Sequence, residues 1–498
     1  MKHIRLLTLF LILGITTLSA QKPPKREFRG AWIQTVFQSE YANMTSEEMK
    51  ADFIRKLDLL QTCGINAIIF QVRPEADAWY LSEIEPWSRF CTGKQGVAPD
   101  PLFDPMAFLI KECHRRNMEF HAWLNPFRAG TSGTSTLAET HVYHEHPEWF
   151  VTYNKQLLFD PGIPACREYI CRIVEDIVSR YDIDGIHIDD YFYPYPEGGR
   201  PIPDDREYAL YNNGIADRGD WRRYNVNLFV KEMGEHVHKL KPWVKFGVSP
   251  FGIYRNKKSS PIGSDTNGLQ NYDQLYADVL LWVNNGWIDY CVPQLYWHIG
   301  HPLADYEKLI KWWAKHMANR PLYIGESIEN TVQNSDPANP NTHQMAAKFR
   351  LHRQLRNVSG TVLWYAKVAA EDMGSYGTML RNVYWKSKAL PPYMPFLDSK
   401  APKKPAKVGD AWTEDGLMLY WSAPKAKKWG DEARRYVIYR FAKGEKVNLA
   451  DASKIVKITY DNYYRLPYDG GTKKYKYVVT ALDRVGNESK GAKRKVKL

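Results

Sequence analysis

The chain has 498 residues, of which 44% are hydrophobic and 14% aromatic, with a formal net charge of +12 and six cysteines. That length exceeds one ordinary domain. Six cysteines in so long a chain exclude a small disulfide-held scaffold, and no CxxC or histidine-rich spacing predicts a structural zinc. We expect buried free thiols, and the sequence leaves one or two disulfide bridges open.

The first twenty residues have the layout of a secretory signal peptide. Lys2 and Arg5 form a positive start, Leu6–Leu18 is apolar, and Ala20 offers a small residue for cleavage before Gln21. The apolar run is short for a bilayer span, so an N-terminal membrane anchor is the less favoured alternative. No Cys follows the cleavage point, and no later stretch predicts a membrane helix. We expect a secreted or periplasmic protein with no transmembrane segment in its mature chain.

Strand-like and helix-like segments alternate over residues 26–392, which indicates parallel strands joined by helices. Eight strands, each followed by a helix, predict a (β/α)8 or TIM barrel. A doubly wound open sheet is the alternative, but no glycine-rich phosphate loop follows any strand. The predicted strands are Arg29–Thr35, Ala67–Val72, Glu119–Leu124, Gly185–Asp189, Lys245–Ser249, Tyr290–Leu295, Leu322–Ile328 and Thr361–Tyr365. The predicted helices are Ser46–Cys63, Met106–Asn117, Pro164–Tyr181, Val226–Leu240, Tyr272–Asn285, Tyr306–Asn319, Thr342–Asn357 and Gly377–Lys388.

A proline- and lysine-rich stretch predicts a linker over residues 393–402. Beyond it, short strands separated by turn residues are typical of a small β-sandwich over residues 403–498. The run Tyr475–Asp483, followed by Val485–Ser489, resembles the last strands of fibronectin type III modules. The predicted strands are Gly416–Trp421, Tyr436–Arg440, Ile455–Tyr460 and Tyr475–Ala481.

All of the excess positive charge lies in this last part of the chain. From Ser399 onward there are 24 Lys and Arg against 11 Asp and Glu, whereas the preceding part carries 44 against 45. A basic domain on a near-neutral body predicts attraction to an anionic surface such as cell wall, lipopolysaccharide or acidic glycan. A merely solvated basic face is the alternative, and the exported compartment argues against nucleic acid as a partner.

Two adjacent carboxylates carry the strongest chemical signal. Side chains alternate along a strand, so His187 and Asp189 face the barrel interior while Ile186 and Ile188 pack under the helices. Asp190 follows where the strand ends and turns into the same cavity, at the face where barrel active sites lie. Two carboxylates so close cannot both ionise freely, so one pKa should rise, which suits a general acid. The alternative is that they cap a loop or hold His187.

Several motifs together resemble the bacterial family called glycosyl hydrolase-like ten. The match runs from about Arg26 to Leu390 in the family's order and spacing. The resemblance implies an exported enzyme that hydrolyses glycan, with at least one relative that digests peptide-stripped peptidoglycan strands. The motifs are Phe28–Trp32, Gln71–Pro74, Asp77–Tyr80, Glu85–Trp87, Ala122–Arg128, Leu158–Gly162 and Asp184–Pro194.

The adjacency of the acids bears on mechanism, because most glycosidases use two carboxylates several ångströms apart. Asp189 and Asp190 resemble instead the paired acids of hexosaminidases in which the 2-acetamido group of the substrate is the nucleophile. We favour Asp189 as the residue that orients this group and Asp190 as the acid. In the competing route Asp189 is the nucleophile and a distant acid is needed, for which Glu326 is the best candidate and Glu75 a weaker one.

The remaining polar and aromatic residues near strand ends are candidate binding groups for sugar hydroxyls and rings. Arg73 and Asp77 hold hydroxyls or each other, and a buried structural role is an equal alternative for His121. The candidates are Trp32, Gln71, Arg73, Asp77, Tyr80, Trp87, His121, Trp123, Asn125, His187, Tyr191, Gln294, Tyr296 and Trp297.

Three other functions stay open at this stage. A non-catalytic glycan-binding protein of the cell envelope is one, although the intact Asp pair argues against it. A hydrolase acting on another extracellular polysaccharide is the second. The third is a metal-dependent hydrolase using His121, His187 and Asp189, which no HxxE or HxH spacing supports. We expect neither a metal nor a cofactor.

Overall fold

The computed structural model describes residues 22–134, 136–317, 320–426 and 430–498. The predicted signal peptide, and the last two residues of the predicted helix Tyr306–Asn319, lie outside these ranges. Eight parallel strands form a closed barrel in which each pairs with the next along the chain and the last pairs with the first. The predicted barrel is confirmed, and the open sheet is wrong. The strands are β1 (Phe28–Ile33), β2 (Ala67–Arg73), β3 (Glu119–Leu124), β4 (Gly185–Ile188), β5 (Lys245–Val248), β6 (Tyr290–Cys291), β7 (Leu322–Ser327) and β8 (Val358–Trp364).

Helices surround the barrel between the strands. The first begins in a capping box, in which the Thr45 side chain accepts from the Glu48 N–H and the Glu48 side chain accepts from the Thr45 N–H. The main helices are Ser46–Thr62, Pro105–Arg115, Pro164–Arg180, Arg218–Leu240, Val279–Asn284, Tyr306–His316 and Met345–Gln354. Shorter ones are Arg89–Thr92, Asp205–Tyr211, Asn271–Gln274, Ile328–Gln333, Ala366–Ala370, Tyr376–Met379 and the π-helix Leu380–Tyr384.

Some predicted bounds are wrong for local reasons. The predicted helix Tyr272–Asn285 is split, because Tyr276 adopts a left-handed φ of 56° between its two parts. The predicted helix Thr342–Asn357 starts later, since Asn339–His343 pairs with Ser335–Asp336 as a short antiparallel ribbon.

Large rings fill the barrel interior, and two glycines make room for them. A Cβ atom on Gly247 would lie 1.9 Å from the Tyr290 ring, and one on Gly185 would lie 2.3 Å from the His121 ring. The same interior cluster includes Phe28, which stacks on Tyr323 at 4.2 Å. The barrel centre is therefore a packed core, and in this fold the chemistry takes place at the carboxyl ends of the strands.

A three-stranded antiparallel sheet is inserted after β3, and the sequence patterns did not predict it. Its strands are Arg128–Gly130, Gln156–Phe159 and Phe150–Tyr153, in that order across the sheet. The insertion lies at the carboxyl end of β3, so it adds a wall to the face where the strands end.

The C-terminal part forms two antiparallel sheets, as expected of a small β-sandwich. One sheet has three strands, β9 (Ala406–Thr413), β10 (Gly416–Ser422) and β13 (Tyr463–Arg465). The other has four, listed in the order in which they pair: β12 (Ile455–Thr459), β11 (Arg435–Ala442), β14 (Lys474–Leu482) and β15 (Ala492–Lys497). The resemblance to fibronectin type III modules remains a prediction.

The sandwich docks on the end of the barrel where the strands begin, opposite the strand ends. Asp182, just before β4, accepts hydrogen bonds from Arg434 and from Arg484, the latter at 2.7 Å. Leu390 is buried in one hydrophobic cluster with residues of β11 and β14. Met394, within the predicted linker, is fully buried against the interior cluster at the base of the barrel. Met394 thus fixes the start of the linker against the barrel, and its backbone N–H donates to Val485 O in the sandwich, whereas most of the other linker residues are exposed.

All six cysteines are buried and carry free thiols, as predicted. Among the helices of the described ranges, none combines the length and the apolar character that a bilayer crossing requires.

Candidate active site

Asp189 and Asp190 lie directly past the end of β4 and are both buried, with 5% and 3% of their surface exposed. Ile186 and Ile188 pack in the layer between strands and helices, while His187 faces the interior, where its ring contacts Tyr290. The alternation expected for this strand is therefore what the structure has.

The groups that bind Asp189 can donate hydrogen bonds but cannot accept them. Trp123 Nε1 donates to Asp189 Oδ2 over 3.2 Å, and the side-chain amide of Asn125 donates to the same oxygen. The backbone N–H of Tyr191 reaches Oδ1 at 3.4 Å. Because an indole N–H and an amide NH2 offer no lone pair, these contacts favour the carboxylate form of Asp189.

Asp190 has partners of a different kind. Gln294 Nε2 donates to Asp190 Oδ1 over 3.0 Å, and the hydroxyl of Tyr195 is hydrogen-bonded to Oδ2. A phenol hydroxyl can donate or accept. Asp190 Oδ2 can therefore carry a proton and donate it to Tyr195 without leaving a buried polar atom unsatisfied.

The two carboxylates share their electrostatics. Burial, and then the charge of Asp190, raise the pKa of Asp189 to about 7. Burial also raises the pKa of Asp190, against the hydrogen bonds from Tyr195 and Gln294. Such a pair keeps one proton between its members near neutral pH. The different donors favour that proton on Asp190, so that a carboxylate lies beside a protonated acid.

A chain of amides positions Asp189 from behind. Gln71 Oε1 accepts the backbone N–H groups of Thr35 and Val36, each at 2.8 Å. Its Nε2 donates to Asn125 Oδ1, which also accepts from Arg128. Gln71 and Asn125, both predicted to bind sugar, thus use their hydrogen-bonding groups to hold Asp189 and each other.

Below the acids, a column of polar side chains fills the barrel centre. Trp32 Nε1 donates to His187 Nε2 over 3.4 Å, and His187 Nδ1 lies 3.1 Å from the Tyr290 hydroxyl. The same hydroxyl lies 2.8 Å from His121 Nδ1, and His121 Nε2 lies 3.1 Å from Glu119 Oε2. Burial and then the neighbouring His121 lower the pKa of His187 well below its usual value, so this histidine is neutral.

Aromatic rings meet above this column. Trp32 packs edge-on against Trp364 at 6.1 Å and Tyr296 at 6.4 Å, and Tyr296 stacks on Trp364 at 5.9 Å. Trp123 also contacts Trp364, at 6.4 Å. Tyr191 is the more open ring, with 38% of its surface exposed. Such rings provide flat apolar faces of the kind that sugars stack on.

Other predicted binding residues lie away from this group of rings. Arg73 is fully buried and pairs with Glu85 at 2.7 and 2.8 Å, not with Asp77. Asp77 accepts from Gln95 at 3.1 Å, and burial with the nearby charge of Glu75 raises its pKa to about 7. Arg73 and Asp77 therefore bind other protein groups, as residues with a structural role do. Three more candidates lie elsewhere: Tyr80 is buried beside Tyr181, Trp87 is half-buried in a bridge with Ala78, and Trp297 packs on Phe251.

The structure does not bring Glu326 to the acid pair. On β7, Gly325 faces the interior, where a Cβ would lie 3.1 Å from Trp32, so Glu326 faces the helices together with Ile324. Its Oε1 is bound at 2.5 Å by both Lys348 and Thr331. The proposal of Glu326 as a distant acid is therefore corrected, because strand alternation turns it outward.

Glu75, the weaker candidate, is also committed elsewhere. Arg89 donates to both its oxygens, at 2.7 and 3.1 Å, and Thr131 N–H donates at 2.8 Å. Although burial opposes ionisation, these bonds lower the pKa of Glu75 below its usual value. A carboxylate held in this way is a poor proton donor.

Metal ligation finds no support in the described ranges, where no group of three or more His, Cys, Asp or Glu side chains could hold an ion. His121 and His187 both bind the Tyr290 hydroxyl.

Four residues of the site were missed by the sequence patterns: Arg128, Tyr195, Ser249 and Trp364. Ser249 Oγ binds His187 Nε2 at 2.9 Å, and Tyr195 binds Asp190. Signals existed for three of them, since Ser249 ends a predicted strand, Trp364 is the penultimate residue of another, and Arg128 is the last residue of the family motif Ala122–Arg128. Tyr195 follows its motif by one residue, in a loop whose path the sequence does not specify.

Comparison with known proteins identifies the family of the chain. A family model described as glycosyl hydrolase-like 10 matches residues 27–341. The chain is similar to glycosyl hydrolase YngK of Bacillus subtilis (strain 168), with 39% identity over 98% of this chain and 97% of that protein. It is also similar to glycosyl hydrolase DigH of Escherichia coli (strain K12), with 36% identity over 70% of this chain and 87% of that protein. Among solved structures, the glycoside hydrolase domain of PgaB (BpsB) from Bordetella bronchiseptica matches 71% of this chain and 98% of that chain, with 10% identity and a TM-score of 0.44.

Proposed function

The chain belongs to the glycosyl hydrolase-like 10 family and is a glycoside hydrolase, and from that premise we propose that it cleaves an N-acetylhexosamine-containing glycan of the bacterial cell wall. Peptide-stripped peptidoglycan strands are the preferred form. The observation that carries this proposal is the adjacent, buried pair of Asp189 and Asp190, which contacts a group of aromatic rings through Trp123. Peptidoglycan sugars carry 2-acetamido groups, and such a group supplies the nucleophile that an adjacent acid pair lacks.

In this mechanism the acetamido oxygen attacks the anomeric carbon as the bond from that carbon to the glycosidic oxygen breaks. Asp190 gives its proton to the leaving oxygen, and Asp189 accepts a hydrogen bond from the acetamido N–H. A cyclic oxazolinium results. Water then attacks the anomeric carbon, gives a proton back to Asp190 and reopens the ring. Each hydrolysis therefore leaves Asp190 protonated for the next cycle.

The hydrogen bonds support this division of roles. Trp123 and Asn125 donate to Asp189, which favours the carboxylate that the orienting role needs. Asp190 faces the Tyr195 hydroxyl, which tolerates a protonated partner. The two-carboxylate route is weaker, because Glu326 is bound by Lys348 on the helix side of β7.

The deciding experiment incubates the protein with intact and with peptide-stripped peptidoglycan and identifies released sugars by mass spectrometry. Release from the stripped strands by the natural protein, and none by an Asp190→Asn variant, is the expected result. A folded natural protein that releases nothing from either material refutes the proposed substrate.

We also propose that the protein is secreted or periplasmic. Support comes from the composition of residues 1–20. Sequencing the amino terminus of protein recovered outside the cytoplasm tests this, with Gln21 expected as the first residue.

The sandwich is proposed to attach the enzyme to an anionic envelope surface, and its lysines are better suited to this than its arginines. Arg434 and Arg484 bind Asp182, and Arg435 lies 3.6 Å from Asp184, so all three serve docking. Five other cations lie on the last two paired strands of the four-stranded sheet, β14 and β15, and we call them the lysine edge: Lys474, Lys476, Lys493, Lys495 and Lys497.

The lysine edge brings like charges directly opposite one another. Lys474 pairs in register with Lys497, and Lys476 with Lys495. Like charges opposite each other across two strands are destabilising. Among the described residues, no carboxylate lies within 4.0 Å of these five ammonium groups. An external polyanion would relieve the repulsion, which supports attachment through this edge.

A further inference from the structure

Arg128 differs from every other buried arginine of the described chain in having no ion-pair partner. Seven arginines are buried. Six of these have a carboxylate within 4.0 Å: Arg29, Arg73, Arg116, Arg167, Arg222 and Arg435. Arg128, only 6% exposed, has none among the described residues. Since arginine is almost never fully buried unless paired, this guanidinium lacks its anion.

The contacts of Arg128 leave one edge of the guanidinium uncommitted. Its Nε donates to Pro74 O over 2.9 Å, and one Nη donates to Asn125 Oδ1. The second Nη has no partner among the described residues, yet it is not enclosed by protein. The guanidinium also lies over the Tyr191 ring, 5.2 Å from its centre. The side chain is therefore held firmly by one edge while the other stays accessible.

The position of Arg128 places this free edge beside the reacting centre. Its charge lowers the pKa of Asp189, against the stronger effects of burial and of Asp190. Its partner Asn125 also binds Asp189, and Tyr191 follows Asp190 in the chain. A sugar held at the acid pair therefore lies next to Arg128.

We propose that Arg128 binds a carboxylate carried by the sugar at the acid pair, an assignment that rests on the proposed function. The planar guanidinium matches a carboxylate and forms short, charge-assisted hydrogen bonds with it. Without such a cation, two nearby aspartates would repel an anionic sugar. With Arg128 present, the site attracts acidic glycans that its aspartates alone would repel.

The carboxylate chemistry explains a preference for peptide-stripped strands. In peptidoglycan the lactyl ether of every second sugar forms an amide with the peptide, and removal of the peptide frees a carboxylate at that position. A uronic acid next to an N-acetylhexosamine offers the same group from another position. Arg128 therefore selects acidic N-acetylhexosamine glycans, and the two sources are separated by experiment.

The test compares peptide-stripped strands with the same strands after chemical reduction of the lactyl carboxyl to an alcohol. The natural protein should favour the acid form in kcat/KM by about 10- to 100-fold, as expected for hydrogen bonds to a charged group. Arg128→Gln should bring this ratio near one, and Arg128→Lys should retain part of it. A polymer of alternating N-acetylhexosamine and uronic acid, cleaved instead of the stripped strands, assigns the carboxylate to the uronic acid.

Equal rates of the natural protein on the acid and alcohol forms overturn the assignment, as does an Arg128→Gln variant that keeps the natural ratio. Calorimetric binding of 3-O-lactyl-N-acetylhexosamine and of its alcohol to the natural protein gives a readout that needs no turnover and no variant. Tighter binding of the acid supports the assignment even where the strands are not cleaved, and equal binding refutes it. The proposed substrate fails separately, through absence of hydrolysis.

Discussion

The side-chain amide of Asn125 donates a hydrogen bond to Asp189, and its orientation is fixed from behind. Gln71 and Arg128 both donate to Asn125 Oδ1, so only the NH2 group of Asn125 can face the acid. An amide turned the other way would present a lone pair to a carboxylate. Asn125 is therefore a positioned donor, and Gln71 and Arg128 are the residues that position it.

Replacing Gln71 with methionine tests this relationship. The side chain keeps its volume but removes one of the two donors that orient the Asn125 amide, so we expect kcat to fall about tenfold, the equivalent of roughly one hydrogen bond, with little change in KM. The free energy of unfolding should fall by about 1–3 kcal/mol, since the N–H groups of Thr35 and Val36 lose a buried acceptor. Gln61→Met, which removes only a bond to Arg116 O, is the matched control. A stable Gln71→Met enzyme with natural kcat contradicts the positioning role.

Asp190→Asn should abolish hydrolysis, with a loss of about 10²- to 10⁴-fold for the acid alone, because an amide has no proton to give. The fold should survive, since the new amide can donate to Tyr195 and accept from Gln294. Asp189→Asn should weaken catalysis less, as it removes an orienting acceptor only. Steady-state kinetics on stripped strands and circular dichroism measure both effects.

A glycosyl ester on Asp189, trapped with a slow substrate and found by mass spectrometry, would contradict the acetamido route. It would restore Asp189 as a nucleophile, and the acid would then have to be sought elsewhere. Strong inhibition by a thiazoline mimic of the cyclic intermediate is the opposite and expected result.

The shared proton predicts how activity depends on pH. The pair needs one proton, and the pKa of Asp189 is raised to about 7 by burial and by Asp190. We expect kcat/KM to fall as pH rises through about 7, where the last proton leaves the pair. In Asp189→Asn the falling limb should shift to lower pH, because the neighbouring negative charge that opposes ionisation of Asp190 is gone. A limb that stays in place would assign the proton to another group.

Stability should change over the same range with a defined sign. The two acids titrate as a coupled pair, so the pKa of about 7 at Asp189 describes the proton that the folded pair shares and that the unfolded chain has lost above about pH 4. The contribution of the pair to the stability of the folded state therefore falls as pH rises from about 4 to about 7 and changes no further above that. The melting temperature of Asp189→Asn should exceed that of the natural protein by an amount that grows as pH rises across this window. Thermal unfolding at successive pH values measures the difference.

Replacing the lysine edge with glutamine should remove binding to anionic wall fragments and leave kcat on short soluble oligosaccharides unchanged. Binding by the natural protein should itself weaken steeply between about 50 mM and about 500 mM salt, since exposed charges are screened. Cosedimentation measures both. The matched control replaces five exposed lysines of the barrel: Lys94, Lys111, Lys155, Lys257 and Lys258. If both variants lose binding equally, the attraction comes from net charge and not from this edge.

Much of the site follows from the sequence because barrel strands alternate and end at one face. This rule assigned Asp189, Asp190 and Asn125 to the same face of the barrel although 64 residues separate Asn125 from Asp189, and the contact between them is a finding of the structure. The same rule, applied more strictly, also rejects Glu326. Leu322 and Ile324 are aliphatic residues suited to the helix layer, and Glu326 shares their parity. Glu326 was proposed as an acid because it lies near the end of a strand, without asking to which side of the strand its side chain points.

Other contacts could not be predicted, because they depend on how loops fold over the barrel. Arg73 was expected to bind sugar or Asp77, yet a loop returns Glu85 to it. The sheet inserted after β3 is made of strands as short as Arg128–Gly130, too short for a periodic pattern. Arg128 is the first residue of that sheet, so its approach to the acids depends on a fold that the motif alone does not specify.

The hydrogen bonds of the column beneath the acids can all run in one direction, toward Glu119. The indole of Trp32 can only donate and the Ser249 hydroxyl can also donate to His187 Nε2, so in this arrangement Nε2 accepts and Nδ1–H points to Tyr290. The Tyr290 hydroxyl then donates to His121, whose Nε2–H points to Glu119, a carboxylate whose pKa Lys245 and His121 lower to about 2 against the effect of burial. Every hydrogen thus points away from the sugar, and the negative ends of these dipoles face the ring that gains positive charge as its glycosidic bond breaks.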